Sequence, residues 1–352
     1  MLSFELVRES WILENGGRMD ALIYEMAEII RDYQHLPPGS VEDHVRNWIM
    51  QFPKEVQYDL MDEMVQLMKK HYISQESLRS FLKAVLHDRK NRIRGGVDPV
   101  AFWRGTTFLD IQSKGNSQKD LLEELEIVLA GELGIDIDEC DGSEEQRYLY
   151  IDDGMFSGTR IKNDLKEWIS DNSDSLEGLP VRIIVITAVA YSLAEFFLKN
   201  EISDLGKELN LDLKLEVLAS HWLSNFKKNC ENSDVLWPNE IPNNAAVQEF
   251  YQAENKTGKV ILRTGELVGG KKVFSSPGRR KILEQQLLIE SVKIRNSSGY
   301  FGKGHRPLGF TQFPSFGFGA TIVTYRNCPN NCPLAFWASA GDWMALFPRK
   351  NN

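Results

Sequence analysis

The stretch that decides the fold is RYLYIDDGMFSGTRIKNDLKEWISD, residues 147–171. Its apolar start, Arg147–Ile151, predicts a short strand, and residues 158–171 predict a helix. Between them stand Asp152 and Asp153, followed by a turn of small residues. A turn from a strand into a helix offers free backbone N–H groups and the positive end of the helix dipole to a phosphate. The two acids before it suit the 2′- and 3′-hydroxyls of a ribose. A solvated acidic turn with Ser157 as the helix N-cap is the alternative.

Strands and helices alternate on both sides of this stretch. Val181–Tyr191 (VRIIVITAVAY) is apolar on both faces and predicts a central strand. The other predicted elements are strands at Thr106–Gln112 and Asp212–Leu218 and helices at 117–132 and 192–207. Strict alternation predicts an α/β core with a parallel sheet flanked by helices on both faces.

The flanking regions have a different texture. Residues 1–95 show helical periodicity at 19–33, 41–51, 53–71 and 74–89, and Gly95-Gly96 ends this region. In residues 226–352 the sequence predicts a strand at Lys259–Arg263 and a helix at 279–294. A Gly-, Phe- and Asn-rich tail follows at 296–347, and we expect this tail to fold back on the α/β core. We therefore predict three domains: a helical domain (1–95), for which a winged-helix-like arrangement is one reading, an α/β core (96–225) and a C-terminal extension that completes the site (226–352).

Composition excludes several classes of protein. The 352 residues carry a formal net charge of -9, which argues against a protein that coats DNA or RNA by releasing counterions. The longest apolar run, Ile183–Ala190, is far shorter than the roughly 20 residues of a membrane helix. No signal peptide is visible, so we expect a cytoplasmic protein whose four cysteines are free thiols. Cys328 and Cys332 lack a second ligand pair nearby, and no metal site is predicted.

A second loop resembles an anion cradle. The predicted strand Thr106–Gln112 ends in Ser113-Lys114-Gly115-Asn116-Ser117, directly before a helix. Small residues with one lysine at the end of a parallel strand suit a phosphate group. An ordinary turn would have the same composition.

The sequence at 148–160 resembles the signature of the type I phosphoribosyltransferases: an apolar strand, two acids, three variable residues, Thr-Gly-x-Thr and a helix. Asp152 and Asp153 match the acidic pair, Ser157 stands at the first Thr, and Gly158 matches the Gly. The final Thr is replaced by Arg160. The resemblance implies that the acids hold the ribose diol of phosphoribosyl pyrophosphate. It also implies that the 5′-phosphate is held by Met155, Phe156, Ser157, Gly158, Thr159 and Arg160, and the pyrophosphate by Ser113, Lys114, Gly115, Asn116 and Ser117.

One part of the family pattern is missing. Type I enzymes usually carry a flexible basic hairpin between the pyrophosphate loop and the acidic pair, whereas residues 135–146 (IDIDECDGSEEQ) contain no Lys or Arg. The tail is the candidate replacement, because Lys303, His305 and Arg306 lie in a Gly-flanked stretch. For an acceptor base we assign Asn327, Asn330, Asn331 and Trp337. Core packing of the aromatic residues and a Pro/Asn turn are the alternatives.

The whole layout is similar to phosphoribosyltransferase-like proteins of bacterial conflict and anti-phage loci, including retron loci. The residues that carry this resemblance are Trp48–Phe52, Pro307–Phe310 (PLGF), Asn327–Pro333 (NCPNNCP) and Trp337. Membership implies an effector or accessory role in defence and fixes neither the substrate nor the partner, for which a protein or ribonucleoprotein of the same locus is the candidate. Type I folds often form homo-oligomers, although no interface is identifiable here.

Two main hypotheses follow. In the first, an enzyme binds phosphoribosyl pyrophosphate with Mg²⁺ and transfers the phosphoribosyl group to a nucleobase, a nucleotide or a larger acceptor, or cleaves a glycosidic bond. Asp152, Asp153, Lys114 and Arg306 would be its catalytic residues. In the second, an inactive module of the same fold binds a nucleotide-like ligand as a sensor or adaptor. A nucleic-acid adaptor built on the N-terminal helices is a third reading.

Overall fold

The computed structural model describes residues 17–90, 92–113, 115–226, 231–258 and 260–349. Contacts group the chain into two compact units. The α/β unit is Gln75–Leu223, and the two-segment unit joins the chain up to Ser74 with the chain from Ser224 onward. This grouping differs from the three predicted domains, because helix 75–87 lies in the α/β unit and both ends of the chain share one unit.

Amphipathic helices open the two-segment unit. They are α1 (Arg18–Ile30), α2 (Val41–Ile49) and α3 (Lys54–His71), and the short strand β1 (Tyr72–Ile73) follows. Ser40 caps α2 as its sequence context predicts, because its Oγ accepts a hydrogen bond from the N–H of Asp43 at 3.2 Å. Helix α1 packs on α2 and α3 and buries Ile23, Met26 and Ile30. The helices predicted at 19–33, 41–51 and 53–71 are confirmed, and residues 1–16 lie outside the described residues.

The α/β unit is built on a four-stranded parallel sheet whose strands follow one another in the order β2 (Thr107–Phe108), β3 (Arg147–Met155), β4 (Val181–Tyr191) and β5 (Leu213–Leu223). Both faces of its central strand β4 are covered, since the neighbouring residues Ile184 and Val185 are both fully buried. Because β2 and β3 are parallel neighbours, the segments that follow them leave the same edge of the sheet. The elements of the unit are α4 (Gln75–His87), α5 (Pro99–Arg104), β2 (Thr107–Phe108), α6 (Ser117–Leu133), β3 (Arg147–Met155), α7 (Thr159–Asp171), β4 (Val181–Tyr191), α8 (Ser192–Leu209) and β5 (Leu213–Leu223).

Strand β2 is much shorter than the predicted Thr106–Gln112. The ladder to β3 ends after the N–H of Leu109, which donates to the carbonyl of Leu149 at 2.8 Å. The N–H groups of Ile111 and Gln112 instead donate to the side-chain Oε1 of Gln118, at 2.7 and 2.9 Å. A side chain at the start of α6 therefore takes the backbone donors that a longer strand would use.

The remaining elements complete the two-segment unit. They are α9 (Ala245–Glu254), α10 (Pro277–Ser297), β6 (His305–Arg306), β7 (Gly309–Phe310), β8 (Val323–Thr324) and α11 (Leu334–Trp337). Helix α9 was not predicted. The strand predicted at 259–263 is wrong for residues 260–263, and Lys259 lies outside the described residues. Arg263 is buried there because its guanidinium bonds to Glu284 at 3.0 Å and to the carbonyl of Trp237 at 2.9 Å.

The C-terminal tail packs on the N-terminal helices. Trp48 Nε1 donates to the carbonyl of Ala335 at 3.2 Å, and Tyr33 Oη donates to that of Pro348 at 2.9 Å. Strand β1 pairs in parallel with β8. The tail is therefore part of the two-segment unit.

Candidate functional site

The acidic pair lies at the end of β3, and its two members differ in burial. Asp152 pairs in register with Thr187 of β4 and is only 2% exposed, while Asp153 is half-buried. The backbone N–H of Asp153 donates to Asp152 Oδ1 at 2.8 Å. Asp152 is therefore not part of a solvated turn, and its carboxyl group is fixed by hydrogen bonds inside the unit.

The two predicted phosphate loops lie side by side. Ser117, the first residue of α6, donates from Oγ to Asp152 Oδ1 at 2.8 Å. A Cβ built on Gly115 would lie 3.8 Å from Nη1 of Arg160. Ser113 and Asn116 are exposed in the same loop, and Lys114 lies outside the described residues. The segment after β2 and the turn after β3 thus form one edge of the sheet, as their places in a parallel sheet predict.

A series of hydrogen-bonded side chains lies behind this edge and was not predicted from the sequence. Gln112 Nε2 donates to Tyr150 Oη at 2.9 Å, and Tyr150 Oη donates to Asp164 Oδ2 on α7 at 2.8 Å. The hydroxyl of Ser117 also lies 3.1 Å from Gln112 Oε1. Tyr150 stands two residues before Asp152 on the strand, so both point to one face. That period of two was the available signal for Tyr150.

Two further buried polar atoms lie next to this series of side chains. Within the described residues, Thr187 Oγ1 and Gln118 Nε2 have no hydrogen-bond partner, although both residues are at most 1% exposed. Thr187 is the register partner of Asp152, and Gln118 follows Ser117 on α6. The surroundings of Asp152 are therefore polar, but incompletely paired.

Burial sets the protonation of Asp152. Desolvation, and then the charge of Asp153, raise the pKa of Asp152 to about 7, against the lowering effects of the Ser117 hydroxyl and the Arg160 charge. The carboxyl group is therefore close to half-protonated at neutral pH. Burial likewise raises the pKa of Tyr150, which keeps its phenol protonated as a donor to Asp164.

The turn after β3 presents its backbone rather than its large side chains. Met155 is 1% exposed, and the ring of Phe156 packs edge-on against Tyr191 at 5.1 Å. Gly158 caps α7 with a φ of 71°, a left-handed conformation that glycine adopts readily. Ser157 is not the N-cap, although its Oγ accepts from the N–H of Thr159 at 3.3 Å. This geometry leaves a compact turn at a helix N-terminus, beside two carboxyl groups.

The acidic interval between the loops is tied to the rest of the unit. It contains a short 3₁₀ helix, Ile137–Glu139. The N–H of Asp141 donates to the carbonyl of Arg104 at 2.8 Å, and that of Gly142 donates to Thr107 Oγ1 at 2.8 Å. The interval is therefore a packed connection without cations, unlike the basic hairpin of the type I pattern.

Arg306 and the predicted acceptor residues belong to the two-segment unit. Arg306 is 7% exposed and forms an ion pair with Glu254 of α9. Asn331 Nδ2 donates to the carbonyl of Phe310 at 3.1 Å, and the carbonyl of Asn330 accepts from the N–H of Phe310 at 2.9 Å. These contacts hold the tail together.

The other two acceptor candidates also bond within the tail. The N–H of Asn327 donates to Thr324 Oγ1 at 3.2 Å, and Trp337 Nε1 donates to the carbonyl of Cys332 at 3.1 Å. Cys140, Cys328 and Cys332 are free thiols, and Cys230 lies outside the described residues. The catalytic and acceptor roles given to these tail residues stay predictions.

Membrane-spanning helices and metal-binding clusters are both absent from the described residues. Over the ranges that the structure describes, no helix is long and apolar enough to cross a membrane. No group of three or more His, Cys, Asp or Glu side chains is arranged to hold a metal ion in that part of the chain. A magnesium ion that enters with a pyrophosphate substrate would need no such resident cluster.

Comparison with known proteins gave one clear result. A family model, PRTase-CE, matches residues 45–349, which is most of the chain. No curated protein and no solved structure gave a significant match. The match spans the α/β unit with its acidic pair and most of the two-segment unit, including the tail motifs. The chain belongs to the PRTase-CE family, a phosphoribosyltransferase-like family.

Proposed function

We propose that this protein is a phosphoribosyltransferase-like effector of anti-phage defence with a type I core. It binds phosphoribosyl pyrophosphate as its Mg²⁺ complex, and transfers the phosphoribosyl group to a nucleobase, a nucleotide or a macromolecule, or cleaves a glycosidic bond in one. Family membership supports the phosphoribosyltransferase-like character. The observation that carries the proposal is the 2.8 Å hydrogen bond from Ser117 to Asp152, because it joins the two loops that a ribose 5-phosphate and a pyrophosphate would need.

Each part of the substrate has a matching group. The carboxyl oxygens of Asp152 and Asp153 accept hydrogen bonds from the ribose diol, and the turn at 155–159 receives the 5′-phosphate at the N-terminus of α7. The loop from Ser113 to Ser117, with Lys114, receives the pyrophosphate. Magnesium arrives as part of the substrate and offsets the pyrophosphate charge.

The reaction breaks the bond between C1 and the pyrophosphate oxygen. The electron pair leaves with pyrophosphate, the ribose ring gains oxocarbenium character, and a lone pair of the acceptor forms the new bond to C1. A proton on the acceptor atom passes to solvent or to a base. Cations stabilise the departing oxygen. Lys114 and Arg306 were assigned this role, and exposed Arg160 beside Gly115 is a further cation at the correct edge of the sheet.

A binding experiment tests the proposal. Calorimetric titration with Mg²⁺ and phosphoribosyl pyrophosphate compares the wild type with the double variant Asp152→Asn/Asp153→Asn. Asp171→Asn is the matched control, because Asp171 is an exposed acid at the far end of α7. We expect micromolar binding that the double variant loses and the control keeps. No binding by a folded wild-type protein would refute phosphoribosyl pyrophosphate as the ligand.

One observation favours a sensor or adaptor as the second candidate. The connection at 135–146 is packed and carries no Lys or Arg, so the usual source of closing charge is missing from the α/β unit. ³¹P NMR of pyrophosphate release, with nucleobases and nucleotides as acceptors, separates the two functions. Release supports the transferase. Binding without release, with or without the acceptors, supports a ligand-binding module that acts with a partner protein or a ribonucleoprotein.

The cellular setting is also part of the proposal. We infer a cytoplasmic protein that acts with a partner protein or ribonucleoprotein encoded in the same defence locus, and that forms a homo-oligomer. The support is the resemblance of the tail motifs at 307–310 and 327–333 to those of conflict-associated proteins. Expression with and without the neighbouring genes, followed by phage challenge, tests it: protection that disappears with the Asp152→Asn/Asp153→Asn variant is the expected result.

A further inference from the structure

A cleft in the two-segment unit lies between the end of α10 and the end of the chain. Its volume is about 300 Å³, and its lining residues include Tyr300, Phe301, Trp337, Arg349, Ser298 and Ser339. The volume is at the lower end of the usual range of small-molecule sites, about 300–1,000 Å³. The lining combines aromatic rings, hydroxyl groups and one cation.

The rings of the cleft meet edge to face. Tyr300 and Phe301 have ring centroids 5.8 Å apart, and Phe301 and Trp337 have centroids 6.1 Å apart. Tyr300 is 68% exposed, which is far more than a core aromatic residue would be. Aromatic walls of this kind give a flat apolar ligand a surface on which to stack.

The cation of the cleft is not neutralised by its neighbours. The guanidinium of Arg349 lies 5.0 Å from the ring centre of Trp337, and its buried Nε has no hydrogen-bond partner among the described residues. Among the described residues, no carboxylate oxygen lies within 4.0 Å of a guanidinium nitrogen of Arg349. A partly buried cation without an anion is costly, and a bound anion removes that cost.

The surroundings add to the positive charge. Arg295 on α10 donates to the carbonyls of Phe301 and Gly302 at 3.4 Å and so fixes the aromatic wall. Burial first, and then the charges of Arg295 and Arg349, lower the pKa of His305 in the same region. Glu254, a carboxylate that acts on Arg295, is already paired with Arg306. The local field favours a negatively charged ligand.

We propose that this cleft is a binding site for a nucleoside monophosphate, with the base against the rings of Tyr300 and Phe301 and the phosphate on Arg349. The aromatic rings would contribute nothing to the binding of an inorganic anion, and the Arg349 cation would contribute little to the binding of an uncharged base. The serine hydroxyls match the polar edges of a nucleoside. All lining residues of the cleft belong to the two-segment unit, and nucleotide binding there does not require the proposed transferase function, although Trp337 is also one of the predicted acceptor residues.

Titration calorimetry tests the site with AMP, GMP, CMP and UMP, and with adenosine and inorganic phosphate as partial ligands. We expect at least one nucleotide to bind more tightly than adenosine and than phosphate. Arg349→Ala should weaken that binding by about tenfold or more, the loss typical of one charge-assisted hydrogen bond. Ser339→Phe should abolish it by filling the cleft while every cation is kept. Lys293→Ala is the matched control, since it removes an exposed cation of α10 that does not line the cleft.

The same variants decide against the proposal as clearly. It is overturned if no nucleotide binds more tightly than phosphate, or if Lys293→Ala weakens binding as much as Arg349→Ala does. Thermal unfolding shows that each variant is folded before it is titrated. Asp152→Asn/Asp153→Asn must keep nucleotide binding, because loss of binding there would place the nucleotide at the acidic pair and refute a separate site. If that double variant loses the binding of phosphoribosyl pyrophosphate but keeps the binding of the nucleotide, the proposed nucleotide site is supported.

Discussion

Replacing the buried carboxyl group by an amide, in Asp152→Asn, should stabilise the protein at alkaline pH and have little effect in acid. Burial raises the pKa of Asp152 to about 7, whereas an unfolded aspartate titrates near 3.8. Between these values the native state holds a proton that the unfolded state has lost. The contribution of this group is therefore fully present below pH 3.8 and is lost as the pH rises through 7.

The size of the effect follows from the shift. A shift of about three pKa units lowers the free energy of unfolding by about 4 kcal/mol between pH 3.8 and pH 7, which is about 1.4 kcal/mol for each pH unit. The amide introduced by Asp152→Asn is neutral at every pH, and its oxygen can still accept from Ser117 and from the N–H of Asp153. The difference in unfolding free energy between variant and wild type should therefore grow from pH 5 to pH 8.

Urea unfolding at pH 5, 6, 7 and 8 measures this difference directly. Asp171→Asn is the control, and its curve should stay parallel to that of the wild type over the whole range, because Asp171 is exposed. If Asp152→Asn also gives a parallel curve, the carboxyl group is ionised in the native protein at pH 5. Burial would then not raise the pKa of Asp152 in the way inferred from the structure.

Three further changes have defined outcomes. Ser117→Ala removes a hydrogen bond that lowers the pKa of Asp152, so the pKa should rise by about one to two units, measured by ¹³C NMR of the carboxyl group. Gly158→Ala forces a side chain into a φ of 71° and should cost about 1–2 kcal/mol of unfolding free energy in a urea titration. Arg306→Met leaves half-buried Glu254 without this partner and should destabilise the protein by about 1–3 kcal/mol; adding Glu254→Gln should recover part of that loss in the same titration.

The elements that carry the site could be predicted because their patterns are local. Val181–Tyr191 is a strand with the predicted bounds, and the helix predicted at 158–171 begins one residue later, at Thr159. A β-branched run with both faces apolar has few alternatives in a sheet. The adjacency of the two loops also follows from the order of strands and helices, since consecutive parallel strands usually pair.

What the sequence did not predict depends on contacts distant along the chain. Strand β2 is short because Gln118 takes the N–H groups of Ile111 and Gln112, and composition does not reveal which way a glutamine side chain will turn. Residues 260–263 have strand-forming side chains, but Arg263 is held by Glu284, a partner 21 residues away. The tail and the N-terminal helices that it packs on are separated by most of the chain, and the periodicity of one element does not indicate such a distant partner.

The raised pKa of Asp152 has a consequence for ligand binding. Ribose hydroxyl groups donate to the ionised carboxylate, so binding of a diol favours the form without the proton and lowers the pKa. A carboxyl group with a pKa of about 7 is about nine-tenths protonated at pH 6 and about one-tenth protonated at pH 8. Binding of phosphoribosyl pyrophosphate should therefore release close to one proton at pH 6 and almost none at pH 8.

Calorimetry in buffers of different ionisation enthalpy counts these protons. Inorganic pyrophosphate, which lacks the diol, is titrated in parallel to measure the protons that the phosphate groups themselves exchange. An excess release with phosphoribosyl pyrophosphate at pH 6 that disappears at pH 8 identifies Asp152 as the residue that receives the diol. Equal release by the two ligands at both pH values would mean that the ribose does not reach the buried carboxyl group. Half-buried Asp153 would then be the acid that holds the sugar, and the role assigned to Asp152 would reduce to positioning Ser117 and the loop before it.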